Sequence, residues 1–333
     1  MLLIEISPLA YKEKMRFIAK SEGSDFDLLM TAIVLPLLAI DLILAWFVRI
    51  DAMGELRTLA GVSIGSVGLW ILVAACCYCR WRGITSLGDA SQLLAWALLV
   101  IPAITFLIPV AGRTPCPLVD GALARIDAGV HFHTADMVRL MSRFPHARRT
   151  LVIAYDLLGL LVIAALVVPA LAGRARDSRR YILAVLFAAI LTAALFALWP
   201  AAGPWTVEGF APSKDQAEVI GALSLLKSGQ SLPEGTKSAV VAFPSFHVVL
   251  AVLSVIALWN LRWVRWFALT LGTLICISTI STGWHYGIDV IGGLVVTYLA
   301  QEGACLLVKP VYSKGDALGA LAPDSSSAVL LES

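Results

Sequence analysis

Two short stretches in the second half of the chain carry residue types suited to acid–base and nucleophilic chemistry. The first is Phe243-Pro244-Ser245-Phe246-His247 and the second is His285-Tyr286-Gly287-Ile288-Asp289. Proline suits the first turn of a helix, where its missing N–H has no intrahelical acceptor anyway. The N–H groups of Ser245 and Phe246 are therefore expected to point out of a helix end, which favours an anion, above all a phosphate. His247 stands beside that end. In the second stretch His285 and Asp289 are four residues apart, so a helix sets them on one face about 5–6 Å apart. A carboxylate there can accept from one imidazole nitrogen and leave the other as a nucleophile. The candidate catalytic residues are His285, His247 and Asp289, with Ser245 and Phe246 as candidate phosphate-binding positions.

These residues sit in a chain that is 59% hydrophobic and only 14% charged, with a net charge of +2 over 333 residues. Soluble domains carry roughly 25% charged residues, so the class is a polytopic, all-α membrane helix bundle. The near-zero charge gives no surface for nucleic acid. A spanning helix needs about 20 mostly apolar residues, and eight segments qualify: 28–48, 58–79, 91–110, 150–172, 181–200, 243–260, 263–281 and 285–308. Residues 1–27, with Lys12, Lys14, Arg16 and Lys20 and no cleavage-site pattern, read as a cytoplasmic N-terminal segment at the membrane surface. Residues 28–110 hold three N-terminal spans, 111–308 the domain with the histidines, and 309–333 a disordered cytoplasmic tail. With the N-terminus inside, short loops on that side hold Arg80, Arg82, Arg174, Arg176, Arg179, Arg180, Arg262 and Arg265, against Arg49 and Arg57 opposite. Short loops dominate the positive-inside rule. Both termini are thus expected in the cytoplasm, and His247 and His285 both come to the outer face, because the span 263–281 crosses and returns between them.

Two outer loops are long. Residues 111–149 place Asp120, Arg125 and Asp127 between Leu118, Leu123, Ile126, Val130 and Phe132, a spacing that suits a helix lying in the interface plane. Residues 201–242 are broken by Gly203-Pro204-Trp205, Pro212, Gly229 and Gly235, a length usual for lids and binding segments. His131 and His133 read as surface residues. The cysteines are scattered through apolar runs without tetrahedral spacing, and neither a metal nor another cofactor is implied. An aspartate inside a span costs about 2.5–3.5 kcal/mol on insertion scales, so Asp41 and Asp156 call for a partner or a function, and Asp156 could face the histidine cavity. Two other readings use the same residues. A two-His-one-carboxylate metal centre would take His247, His285 and Asp289, although membrane iron oxygenases need more than the five histidines present. A transporter would relay protons through Asp41, Asp156 and Asp289.

At the two histidine stretches the chain resembles the type-2 phosphatidic acid phosphatase superfamily, and more closely its inositol phosphorylceramide synthase branch. Pro244-Ser245-Phe246-His247 is similar to the superfamily's second motif, with Phe246 where glycine is usual. His285-Tyr286-Gly287-Ile288-Asp289 is similar to the third, but Ser278-Thr279 stands where the family has Ser-Arg, and the lysine and Arg-Pro of the first motif are absent. Trp199-Pro200-Ala201-Ala202-Gly203-Pro204-Trp205 resembles the Pro-Pro-Trp stretch of the synthase branch, as Leu123-Ala124-Arg125-Ile126-Asp127 resembles the segment before its first core span. The resemblance covers roughly residues 115–308 and implies a six-helix core. It further implies a metal-independent reaction in which His285 attacks phosphorus to give a phosphohistidine, His247 protonates the departing oxygen and Asp289 holds the nucleophile. The substrate would be a lipid phosphate or phospholipid among the membrane lipids, with water or an alcohol as acceptor. Trp205 joins Ser245 and Phe246 as a substrate-binding position, and Lys237, Lys214 or an arginine of 111–149 would replace the absent phosphate-binding arginine.

Overall fold

The computed structural model describes residues 8–47, 62–230 and 242–320. Twelve α-helices and no strand occur among them: α1 (Pro8–Phe47), α2 (Val62–Arg82), α3 (Thr85–Gly112), α4 (Asp120–Gly129), α5 (Thr134–Ser142), α6 (Pro145–Asp156), α7 (Leu158–Leu171), α8 (Ala175–Leu198), α9 (Lys214–Lys227), α10 (Phe246–Leu258), α11 (Val264–Ser281) and α12 (Gly287–Ala320). A single 3-10 turn, Pro204–Thr206, sits between α8 and α9.

Among the described residues, five helical stretches are long and apolar enough to cross a membrane: Glu22–Leu44, Thr85–Gly112, Ala175–Leu198, Val264–Ser281 and Gly287–Val308. The expected span 150–172 is instead two helices, α6 and α7, bent by 42°; taken as one they make a sixth. The bend keeps the backbone paired, since Leu157 N–H still reaches Ile153 O and Leu161 N–H reaches Leu157 O. The expected span 243–260 shortens to α10, 13 residues or roughly 20 Å, because Phe243 to Ser245 form its cap. The expected span 58–79 begins outside the described residues, and its remainder is α2.

Both terminal segments differ from expectation where they are described. α1 starts at Pro8 and runs without a break into the first span, so this part of 1–27 is not a separate surface stretch. Ion pairs fasten it to α8: Glu22 meets Arg176 at 2.5 Å and Arg179 at 3.8 Å. Arg179, fully enclosed, also holds Asp89 at 2.8 Å and lies over the Phe26 ring. α12 continues to Ala320, so the first part of the expected tail is helical.

The core is built around α8, which packs against α3, α7, α10 and α12. Leu183, Ala184, Leu186 and Ala188 are fully enclosed; small side chains of this kind let helix backbones approach closely in lipid. α1 lies on this core along Phe26, Met30, Val34, Leu37 and Asp41, a stripe at spacings of three and four. At the far end Gly292 and Gly293 of α12 face the start of α10. A Cβ on Gly293 would stand 2.8 Å from Ser245 O and 3.1 Å from Val248 Cβ.

The glycine at 293 is therefore a spacing constraint. Gly293→Val is expected to lower the thermal unfolding midpoint of the detergent-solubilised protein, whereas Gly159→Ala, whose Cβ meets nothing within 4 Å, leaves it unchanged or slightly raised. Differential scanning fluorimetry of the two variants checks this.

Candidate active site

Ser245 caps α10: its hydroxyl accepts from Val248 N–H at 3.5 Å. Its own N–H does not point outward as the sequence suggested. It donates to the main-chain carbonyl of Asp289 at 3.1 Å, because the glycine pair lets α12 approach this close. Among the described residues no acceptor pairs with the N–H of Phe246 or His247, so the anion-attracting end of α10 is one residue further along than expected.

His247 and His285 lie at one end of the bundle with ring centroids 6.0 Å apart and planes inclined by 57°. His247, on the first turn of α10, is stacked on Tyr155 of α6 at 4.4 Å and 20°. His285 is 1% exposed, in the loop between α11 and α12. Its Nδ1 is 2.8 Å from Ala242 O and 3.4 Å from Asp289 Oδ2. A carbonyl only accepts, so Nδ1 carries the proton and Nε2 of the neutral ring keeps its lone pair. The nearer orienting group is thus a backbone carbonyl that no residue pattern could disclose. Asp289 stands close behind, with Oδ2 accepting from Tyr286 N–H at 2.8 Å and Oδ1 buried without a partner.

The helix that carries Asp120 and Asp127 reverses the expected amphipathic reading. α4 buries both carboxylates and leaves Ile126 at 52% and Val130 at 74% exposed. Asp127 accepts from the N–H groups of Gly287 and Ile288, at 2.6 and 2.9 Å, across the start of α12. This is a carboxylate at a helix N-terminus supplied from another element. Asp120 accepts from Ala202 N–H at 3.0 Å, Gly203 N–H at 2.8 Å and the Tyr286 hydroxyl at 3.1 Å. Glu208 does the same for α5, accepting from Ala135 N–H at 2.7 Å with its other oxygen buried and unpartnered. Burial pushes the carboxyls of Asp127 and Glu208 above their ordinary range, while the amides they accept from pull them back.

The other expected positions divide. Trp205 is 6% exposed, edge-on to Trp284 at 5.6 Å, and its indole N–H has no partner. Gly203, at φ +135°, makes room for it, since a Cβ there would collide with the indole ring. Phe246 packs against the core cluster. Lys237 lies outside the described residues. Lys214 and Arg125 are exposed. Asp156 is exposed, and its neighbour Tyr155 faces the histidines instead. Asp41 is enclosed on α1 with neither oxygen hydrogen-bonded, so the expected polar partner is absent among the described residues. No group of three or more His, Cys, Asp or Glu is arranged to hold a metal ion among the described residues.

The family model of the PAP2 superfamily matches residues 121–302, more than half of the chain. The chain belongs to the PAP2 superfamily. No curated protein and no solved structure matches it. The PAP2 match runs from the second residue of α4 into α12 and takes in Asp127, Tyr155, His247, His285 and Asp289, while α1 to α3 precede it. PAP2 membership places the protein, at the coarse level, among membrane-embedded phosphatases and phosphotransferases of lipid phosphates.

Removing the Asp127 carboxylate takes two acceptors from the PAP2 core at once. Hydrogen bonds to charged groups contribute roughly 1.5–3 kcal/mol each. Asp127→Ala is expected to destabilise the fold by more than about 2 kcal/mol and to speed amide exchange over residues 284–290. Asp136→Ala, which breaks only an exposed pair with Arg139, should change stability by less than about 1 kcal/mol. Hydrogen–deuterium exchange with mass spectrometry reads both.

Proposed function

We propose that the protein is a membrane-embedded, metal-independent lipid phosphatase or phosphotransferase that works through a phosphohistidine on His285. The observation that carries this reading is the pair of imidazoles 6.0 Å apart, one with Nδ1 committed to a carbonyl. Nε2 of His285 attacks phosphorus, the N–P bond forms and the P–O bond to the leaving group breaks. His247 gives its proton to the departing oxygen. It then takes a proton from water or an alcohol, whose oxygen attacks phosphorus as the N–P bond breaks. The ring of Tyr155 fixes the plane in which His247 exchanges these protons. Asp289 stabilises the charge that accumulates on the His285 ring during attack, as a buried carboxylate does for a catalytic histidine.

Phosphoryl transfer is mostly placement and charge neutralisation. The N–H groups of Phe246 and His247 supply part of that charge at the end of α10, and the indole N–H of Trp205 supplies a further donor. Arg148 of α6 lies three residues before buried Leu151 and seven before Tyr155, on the same helix face. It fills the role of the arginine missing at Thr279. The substrate is a lipid phosphate or a phosphate-linked headgroup presented at the outer leaflet. The synthase-like motif around Trp205 favours transfer to an alcohol over release to water, with both termini in the cytoplasm.

His285→Ala and His247→Ala are each expected to lower turnover of a short-chain lipid phosphate by at least a thousandfold, with fluorescence-detected gel filtration unchanged. Asp289→Asn should lose at least tenfold. His247→Ala with a good leaving group should accumulate an acid-labile phosphoenzyme that His285→Ala cannot form. Product analysis with and without an alcohol separates the two outcomes: inorganic phosphate alone means hydrolysis, and a new phosphodiester means transfer. Full activity in either histidine variant would exclude this mechanism.

Arg148→Ala is expected to raise KM for the lipid phosphate at least tenfold with a smaller change in kcat, and Arg148→Lys to recover part of the loss. An unchanged KM would remove this residue from phosphate binding.

A further inference from the structure

At the end of the bundle opposite the histidines, two cavities meet at Arg180. One, of about 510 Å³, is lined by Arg174, Arg176, Arg179 and Arg180 together with Glu22, Asp89 and Asp177. The other, of about 440 Å³, shares Asp177 and Arg180 but is otherwise walled largely by apolar groups, among them Leu253, Ile256 and Trp259. A polar cavity and a largely apolar one that share Arg180 in their walls offer the chemistry an amphiphile needs.

The pairing of the lining charges says which sign is wanted. Arg179 is held by Asp89 and Glu22, and Arg176 meets Glu22. Asp177 is taken by Arg174 at 2.8 Å and by the Asn260 amide at 3.3 Å. Arg180 has no carboxylate or hydrogen-bond acceptor among the described residues, and its Nε is buried and unpartnered. Four guanidinium groups thus face three carboxylates, an excess of one positive charge. The neighbouring surface is that of a membrane boundary: Trp259, Trp263 and Trp266 are exposed there, the position that amphipathic indoles favour.

We propose that this pair of cavities binds one anionic phospholipid from the leaflet opposite the catalytic face, its phosphodiester on Arg180 and an acyl chain between α8 and α10. A monoanionic phosphodiester matches the single unbalanced charge, and a guanidinium holds phosphate oxygens in a planar fork. Arg180 begins the second turn of α8 and the Trp205 turn comes after that helix's other end, so the two sites are separated by roughly 27 Å of helix. The assignment does not depend on the phosphohistidine reading.

Native mass spectrometry of the full-length protein, titrated with dioleoyl phosphatidylglycerol or dioleoyl phosphatidylcholine, tests this. One tightly retained phosphatidylglycerol is expected, weakened at least tenfold in Arg180→Gln and less than threefold in Arg180→Lys, while choline lipid binding is the same in all three. Glycerol 3-phosphate should not displace the lipid, since it lacks the chain. A second measurement leaves the arginine intact: acyl-brominated phosphatidylglycerol should quench the emission component lost in Trp259→Phe more strongly than brominated phosphatidylcholine. Equal retention in Arg180→Gln, displacement by glycerol 3-phosphate, or equal quenching by the two headgroups would each overturn the proposal.

Discussion

The site depends on a backbone tie between two helix starts. Ser245 N–H donates to Asp289 O, and Asp289 Oδ2 accepts from Tyr286 N–H. The first joins α10 to α12, and the second folds the His285 loop onto the first turn of α12. The His285 ring is then fixed by a main-chain carbonyl, that of Ala242, and the His247 ring by its stack on Tyr155. Gly293 is the packing condition for this tie, since any larger residue there would push Ser245 O away. Lipid offers no water to replace a lost backbone hydrogen bond, so such a tie is more demanding here than at the surface of a soluble enzyme.

Carboxylates supply the second layer of support, and they do so in an unusual role. Asp127, Asp120 and Glu208 all accept from backbone N–H groups of other elements: the start of α12, the 202–203 turn and the start of α5. Each N–H cluster is partially positive, so the acid that meets it is neutralised in place. Acids committed to helix starts and turns hold the scaffold at this end. Asp289, like Glu208, keeps one oxygen unpartnered; lying against the His285 loop, it is the acid whose charge a developing imidazolium would use under the proposed mechanism.

How much of this could be read from residues alone depends on the kind of interaction. The all-helical membrane class came from composition, and the two histidines were brought to one end by counting crossings, because apolar length and loop charge are properties of the chain itself. Helical spacing pointed to His285 and Asp289 as neighbours; they do lie 3.4 Å apart, but with His285 in the loop before α12 rather than on a shared helix face. Other features carry no such signal. Ala242 offers only a carbonyl, available to every residue type. Asp127 and Asp120 were placed on the polar face of an interfacial helix because periodicity assumes that charge seeks water; here the buried backbone amides of α12 and the 202–203 turn compete more strongly. Asp156 attracted attention as an acid in an apolar run, yet a 42° bend after it turns it outward and leaves Tyr155 on the inner face. The broken span itself was invisible, since no proline marks the break between α6 and α7.

The enclosure of His285 imposes an order on events at this site. With the ring 1% exposed and Asp289 entirely buried, a substrate cannot approach from the side of the His285 loop, which Thr134 closes by donating to His285 O. His247 is the half-buried residue of the two. Under the proposed mechanism, approach past His247 and the Tyr155 stack would put the leaving group next to the proton donor before phosphorus reaches Nε2 of His285. An enzyme arranged the other way round, with the nucleophile outermost, would expose its phosphohistidine to bulk water. On the proposed roles, an enclosed nucleophile with the acid–base residue at the entrance would let the entrance select the acceptor that enters once the first product has left. Under the proposed mechanism, discrimination between water and an alcohol would rest on the entrance beside His247 and its Tyr155 stack rather than on the enclosed nucleophile.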